Sequence, residues 1–314
     1  MIVPAITATH FTDPACPWAY SARPAHARLR WRFGDQIEWR LRLIGLSETA
    51  DAYEKRGYTP ERALATQHRF SDRFGMPFSF ERKPRMAGTS RACRAIVAAR
   101  ELDPALGEAA LRALQLLQFT TARVLDDDGD LRAVLATVPG LDADAVVASI
   151  DDPHVVELYE ADRAAARSAE GAPTHVQDRH STSDGPVRYT APSVIFEDED
   201  GGRFEVGGFQ PFEAYDTGLA NLDPGLERRP APETVLDALA EFPEGLTTAE
   251  AASVMRASDL VDADPAATEA ALAELGRPAP WRGSLQAAMP SGERRALRKR
   301  ARRGLRAGCR RKCR

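Results

Sequence analysis

Phe11-Thr12-Asp13-Pro14-Ala15-Cys16-Pro17-Trp18-Ala19-Tyr20 is the stretch on which the fold of this 314-residue chain turns. Residues 3–11 alternate apolar with small or polar side chains, the pattern of a strand. Residues 16–33 read as a helix entered through Cys16-Pro17. Pro17 is harmless in the first turn, where its missing N–H would have no partner, whereas Pro24 is expected to kink the helix. Gly34-Asp35 stops it. Over 37–43, Ile37, Trp39, Leu41 and Leu43 share one face and Glu38, Arg40 and Arg42 the other, which makes a second strand. Strand, helix and strand in such close succession form a βαβ unit, whose strands run parallel. The Cys16 thiol then lies at a helix N-terminus. Unpaired amides and the positive dipole end favour a thiolate there, so its pKa is expected well below the about 8.5 of a free cysteine.

Working outward, residues 60–168 are helical in pattern, punctuated by Pro60, Gly75-Met76-Pro77, Asp103-Pro104, Pro139-Gly140 and Asp152-Pro153. Residues 169–188 read as a polar loop. Residues 189–196 are extended, and Glu197 to Gly202 turns the chain into Arg203–Val206 as a hairpin. A helix follows Gly207-Gly208 at about 211–221. The order is therefore βαβ, a helical block, then ββα. Residues 223–232, with four Pro or Gly, read as a linker. Residues 233–282 form a small helical module with patterns at Thr234–Phe242, Thr248–Met255 and Pro265–Leu275; Thr247 or Thr248 is an N-cap with Glu250 nearby. Residues 283–314 are an irregular basic tail, expected to be disordered, and its residues 293–314 are expected to be dispensable for folding.

The motif Phe-x-Asp-x-x-Cys-Pro-Trp followed by Ala-Tyr resembles the active-site turn of DsbA-like proteins. That superfamily includes cytoplasmic disulfide oxidoreductases, 2-hydroxychromene-2-carboxylate isomerases and kappa-class glutathione transferases. Thr190-Ala191-Pro192-Ser193-Val194-Ile195-Phe196 resembles the cis-proline loop and strand that face the cysteine in the thioredoxin fold. Val206-Gly207-Gly208-Phe209-Gln210 resembles the turn before the last helix. The resemblance covers roughly residues 3–222, with the motifs in order. It implies an α/β, thioredoxin-like domain over 1–222 with a large helical insertion at about 47–168. It also implies thiol–disulfide exchange, with Cys16 catalytic and Asp13, Pro17, Trp18 and Ala19 forming the active-site turn. Ala191, Pro192 and Ser90 (or Thr89) are the expected substrate contacts. Position 19 departs from the pattern: dithiol relatives carry a second cysteine there, and the isomerase and transferase branches usually have Ser where this chain has Cys16.

A monothiol exchanger is thus expected. It would have no bound cofactor and would use glutathione or another low-molecular-weight thiol as co-substrate, acting on a disulfide-bearing protein or a small thiol substrate. Two alternatives stand beside it: a thiol-dependent transferase or isomerase on a small organic substrate, and a non-catalytic thioredoxin-fold binding protein. Asp13 reads equally as a group tuning the site and as a helix cap. Pro192 reads as a cis-proline or as a strand-edge proline. Cys93 reads as a core residue or as a resolving thiol.

Composition is that of a soluble globular protein, 43% hydrophobic and 28% charged. No apolar run approaches the roughly 20 residues of a membrane helix. The first residues lack the pattern of a secretory signal, and four scattered cysteines suit a reducing compartment, so a cytoplasmic location is expected. His175, Asp178 and His180 share a polar loop, but three loosely spaced groups are more simply a solvated loop than a metal site, and none is assigned. Of the 42 Lys/Arg, 12 fall in residues 293–314 with only one of the 46 Asp/Glu, leaving about +11 there and −15 on the remainder. The 233–275 module has the outline of a DNA-binding helical unit but is too acidic to meet phosphate, so nucleic acid is not an expected partner; a small bundle packing against the main domain, or pairing protomers, is expected instead. Cys309 and Cys313 read as free, oxidisable thiols. The sequence carries no signal for oligomeric state.

Overall fold

The computed structural model describes residues 4–275. The described residues form six strands: β1 (Ile6–Thr12), β2 (Ile37–Leu43), β3 (His180–Ser181), β4 (Arg188–Tyr189), β5 (Ser193–Asp198) and β6 (Arg203–Gly207). Four make a mixed sheet in the order β2-β1-β5-β6, and β3 pairs with β4 as a separate hairpin. β1 runs parallel to β2, from Ile6 beside Ile37 to Thr12 beside Leu43, as the βαβ reading requires. It runs antiparallel to β5, with Phe11 opposite Ser193. β6 completes the sheet antiparallel to β5.

The helix expected over 16–33 is two helices, α1 (Pro17–Ser21) and α2 (Arg23–Phe33), meeting at Ala22. Pro24 has no N–H to offer the carbonyl four residues back, so the break falls just before it. Gly34, at φ +53, ends α2 in a conformation that favours glycine. The insertion comprises α3 (Ala50–Lys55), α4 (Pro60–Phe74), α5 (Ser90–Leu102), α6 (Pro104–Thr120), α7 (Asp128–Leu135), α8 (Ala143–Ser149) and α9 (Pro153–Ala166). It has its own core, built from Ala92, Ile96, Leu111, Leu114, Leu131 and Val147, which reaches Leu41 and Leu43 of β2. Fully buried Asp162 of α9 ties it to the sheet, accepting from Arg42 and Arg100 at 2.7 Å each and from the Leu43 amide at 3.1 Å.

Residues 169–188 are more ordered than the expected loop. They contain α10 (Pro173–Val176) as well as the β3–β4 hairpin, features too short to leave a periodic pattern. After β6 come α11 (Phe212–Leu222), α12 (Val235–Glu241), α13 (Thr248–Val254) and α14 (Pro265–Glu274). Thr247 caps α13 with Glu250 in a reciprocal capping box. Ala238, Phe242 and Val254 pack on Ala27 and Trp31 of α2. The 223–232 stretch has no helix or strand, yet it is docked: the Trp31 indole donates to the Pro230 carbonyl at 2.8 Å and the Arg229 amide to Arg32 at 2.8 Å. No helix among the described residues is long and apolar enough to cross a membrane. The end of the expected module (276–282) and the whole basic tail, with Cys309 and Cys313, lie outside the described residues.

Candidate active site

The sheet register brings the site together. Because Phe11 lies opposite Ser193, the turn leaving β1 and the loop entering β5 emerge at the same sheet end. Cys16 is the N-cap of α1, with extended backbone and its amide on the Asp13 carbonyl at 3.2 Å. Its Sγ donates to the Ala191 carbonyl at 3.0 Å, and the Ala191–Pro192 peptide bond is cis. Phe11 and Tyr189 stack behind this contact, ring centroids 4.6 Å apart. Cys16, Ala191 and Pro192 therefore meet across 175 residues of chain.

The charge state of Cys16 differs from the sequence expectation. Burial, with only 6% of the residue exposed, is the largest influence and pushes the thiol up to about 12. The Ala19 and Trp18 amides pull the other way, as the helix-terminus argument requires, and so does the Arg188 guanidinium. The Asp13 carboxylate adds to the rise. The expectation of a depressed pKa is corrected: a sulfur sealed from water loses more hydration than two amides and one distant cation return. In this closed form Cys16 is a protonated thiol, which is why it donates to Ala191.

Asp13 is fully buried. It accepts from the Ala15 amide at 2.8 Å, the Leu46 amide at 2.8 Å, the Thr89 hydroxyl at 3.2 Å and the Cys93 thiol at 3.7 Å. No side chain caps α1, so the capping reading of Asp13 is not what the structure shows. Asp13 instead ties the Cys16 turn to the β2–α3 loop and to the start of α5. Burial raises its own pKa against these donors. Ser90, expected at the substrate, gives its hydroxyl to the Glu48 carbonyl at 2.9 Å; its neighbour Thr89 is the one that joins Asp13. Cys93 is wholly buried in the insertion core, and burial raises its thiol pKa well above the ordinary value.

Pro17 opens α1, and Ala19 is buried beside the sulfur at 2% exposure. Trp18 is the exposed member of the turn, 41% accessible. Its ring rests on Phe70 at 4.8 Å, Phe74 at 5.7 Å and Phe209 at 5.7 Å, which gives the site an aromatic rim. Phe209 belongs to the turn singled out from sequence, where Gly208 adopts φ +74. Arg188, Phe70 and Phe74 were not anticipated. Arg188 stands two residues before Thr190 and was open to notice; the phenylalanines come from a helix whose sequence places it nowhere in particular. Among the described residues, no group of three or more His, Cys, Asp or Glu is arranged to hold a metal.

A family model described as the DSBA-like thioredoxin domain matches residues 7–191. Among solved structures, a candidate protein disulfide isomerase from Nitrosomonas europaea is similar with a TM-score of 0.52 at 17% identity, over 69% of this chain and 96% of that one. A probable DsbA oxidoreductase from Streptomyces coelicolor gives a TM-score of 0.51 at 23% identity, over 70% of this chain and 91% of that one. At such identities the likeness is one of fold. Comparison with curated proteins gave no significant match.

Proposed function

Since the chain belongs to the DSBA-like thioredoxin domain family, we propose that it is a thiol–disulfide oxidoreductase in which Cys16 is the single reacting thiol and a small thiol such as glutathione releases it. The observation that carries this reading is the seating of the Cys16 sulfur, under the Trp18 and Ala19 amides and 3.0 Å from the Ala191 carbonyl beside Pro192. Extended chain laid along Thr190–Ala191 would pair with that backbone and compete for the Ala191 carbonyl. Released from that acceptor and wetted at its mouth, the thiol loses its proton to water, and the two amides then hold the thiolate.

For a protein–glutathione mixed disulfide the steps balance. The Cys16 thiolate attacks the glutathione sulfur; the protein leaves as thiolate, and Cys16 holds glutathione in a disulfide. A second glutathione thiolate attacks the bound glutathione sulfur, giving oxidised glutathione and freeing the Cys16 thiolate. One incoming glutathione thiolate thereby reduces one mixed disulfide, and the substrate's own glutathione forms the other half of the oxidised product. With Ala at position 19 and Cys93 turned to Asp13 in the core, an incoming thiol supplies the second step.

The protonated, closed thiol favours a second reading, a binding protein of thioredoxin fold. Turnover separates the two. Reduction of a glutathionylated peptide, coupled to glutathione consumption, should occur with the wild type and vanish in Cys16→Ser. Equal rates in the two proteins would remove the oxidoreductase reading. Turnover without added small thiol that disappears in the double substitution of Cys309 and Cys313 would remove the external-thiol step.

A further inference from the structure

Helices α12–α14 lie beyond the residues that the family model matches, yet α13 reaches directly into the support of Cys16. Glu250 of α13 is 1% exposed. Its carboxylate accepts from both terminal nitrogens of Arg112 on α6, at 2.6 and 2.9 Å, and from Nε of Arg23 at 2.8 Å. Arg23 opens α2 immediately after the break at Ala22, and it also donates to Gln115 of α6 at 3.0 Å. One residue before Glu250, Ala249 packs in a cluster with Tyr20 of α1 and Phe70 of α4. Phe70 is the ring on which Trp18 rests. The same α13 residues thus touch the active-site helix from behind and the wall of the rim.

Tyr20 of α1 is fully buried against Phe78 and Phe119, but packing around the α1–α2 corner is incomplete. A cavity of about 40 Å³ lies there, with His10, Ala19 and Arg23 on one side and Phe242 and Glu250 on the other. Both ring nitrogens of His10 are buried in it without a protein partner. Where the corner at Arg23 borders this cavity, apolar contact does not fix the chain. A buried carboxylate between two guanidinium groups does, because moving any member leaves a charge uncompensated in the interior. α1 joins α2 through the single residue Ala22, so whatever fixes Arg23 also fixes the corner from which Cys16 projects.

We propose that Glu250, acting through Arg23, is a positioning residue for Cys16: the C-terminal helices hold the α1–α2 corner so that the thiol stays seated against the Ala191 carbonyl. The inference rests on Cys16 being the reacting thiol. Loss of the link loosens the corner, which wets the sulfur while spoiling its alignment. Reactivity toward a small alkylating agent and kcat per folded molecule then move in opposite directions, whereas general destabilisation raises labelling only through the unfolded chain and leaves the kcat of the folded fraction unchanged.

Arg23→Gln tests this while leaving the Arg112–Glu250 pair in place. At pH 7 the variant should label at Cys16 with iodoacetamide ~10-fold faster, the equivalent of a pKa lowered by about one unit. Its kcat on a glutathionylated peptide should fall, with KM little changed. Arg23→Lys, which keeps a charge within reach of Glu250, should recover most of both. Glu250→Gln should act in the same direction and more strongly; if it does not fold, Arg23→Gln, with its fold checked by circular dichroism, carries the test. A lowered Tm with wild-type kcat per folded molecule, labelling rising only in step with the unfolded fraction, would overturn the proposal, as would slower labelling. If the wild type shows no turnover but the labelling responds as described, positioning stands and the oxidoreductase reading fails.

Discussion

At Cys16 the helix N-terminus and the burial of the sulfur act against each other, and burial prevails. Native protein should therefore react slowly with iodoacetamide at neutral pH, its rate still rising about tenfold per pH unit above pH 9, where an ordinary thiol levels off, while the urea-unfolded chain follows an ordinary thiol. A native profile centred near or below 8.5 would show the sulfur to be wetter than described. The sequence located the thiol correctly because the Cys-Pro-Trp turn is local, but its protonation is set by distant chain, above all the Ala191 loop that closes over it. Thr89 and Ser90 make the same point. Adjacent hydroxyls at one helix start are indistinguishable in sequence, and only packing decides that Thr89 faces Asp13 while Ser90 turns to Glu48.

Among the elements, α1 is the one whose sequence most directly limits the chemistry. Ala19 lies one turn after Cys16 with its amide toward the sulfur, so a thiol placed there would stand within disulfide reach. Ala19→Cys should form an internal disulfide under mild oxidation and gain dithiothreitol-dependent insulin reduction that the wild type performs poorly. A variant that stays fully reduced would mean that the turn lacks this geometry. The strands β1, β2, β5 and β6 and the break near Pro24 were legible because alternation and proline act locally. Residues 169–188 were not, since two-residue strands and a single helical turn draw their stability from the sheet edge they cover. Glu205 of β6, for example, accepts from the Thr174 amide of α10 at 3.0 Å.

In the whole molecule, buried charge joins parts that the sequence presents as separate. The three C-terminal helices were readable as helices, and packing on the main domain was one of two readings of them; the contacts that dock them were not, because Arg23, Arg112 and Glu250 are far apart in the chain and their pairing follows no period. Glu250→Ala should cost about 3–5 kcal/mol, since it strands the buried Arg112 guanidinium and unpairs half-buried Arg23, and urea titration measures it. Acid should weaken the fold in two stages. His10, held down to about 3 by burial and then by Arg30 and Arg23, and His26, lowered chiefly by burial, bind protons more readily when unfolded. Their contribution is whole above pH 6.5 and is lost as pH falls toward 3, at about 1.4 kcal/mol per pH unit for each fully titrating group. Glu250, held below the usual carboxylate range by Arg112 and Arg23 against the opposing effect of burial, adds a loss that begins below its ordinary 4.5. Urea midpoints should hold from pH 7.5 to about 6.5 and fall steadily from there to pH 4; a profile flat throughout would place both histidines in contact with water. Whether one thiol does the work is settled most directly by intact-mass and peptide mapping after exposure to oxidised glutathione. A single glutathione on Cys16, removed by reduced glutathione and absent from Cys16→Ser, is the expected result; a Cys16–Cys93 disulfide, or no adduct on Cys16, would contradict the monothiol account.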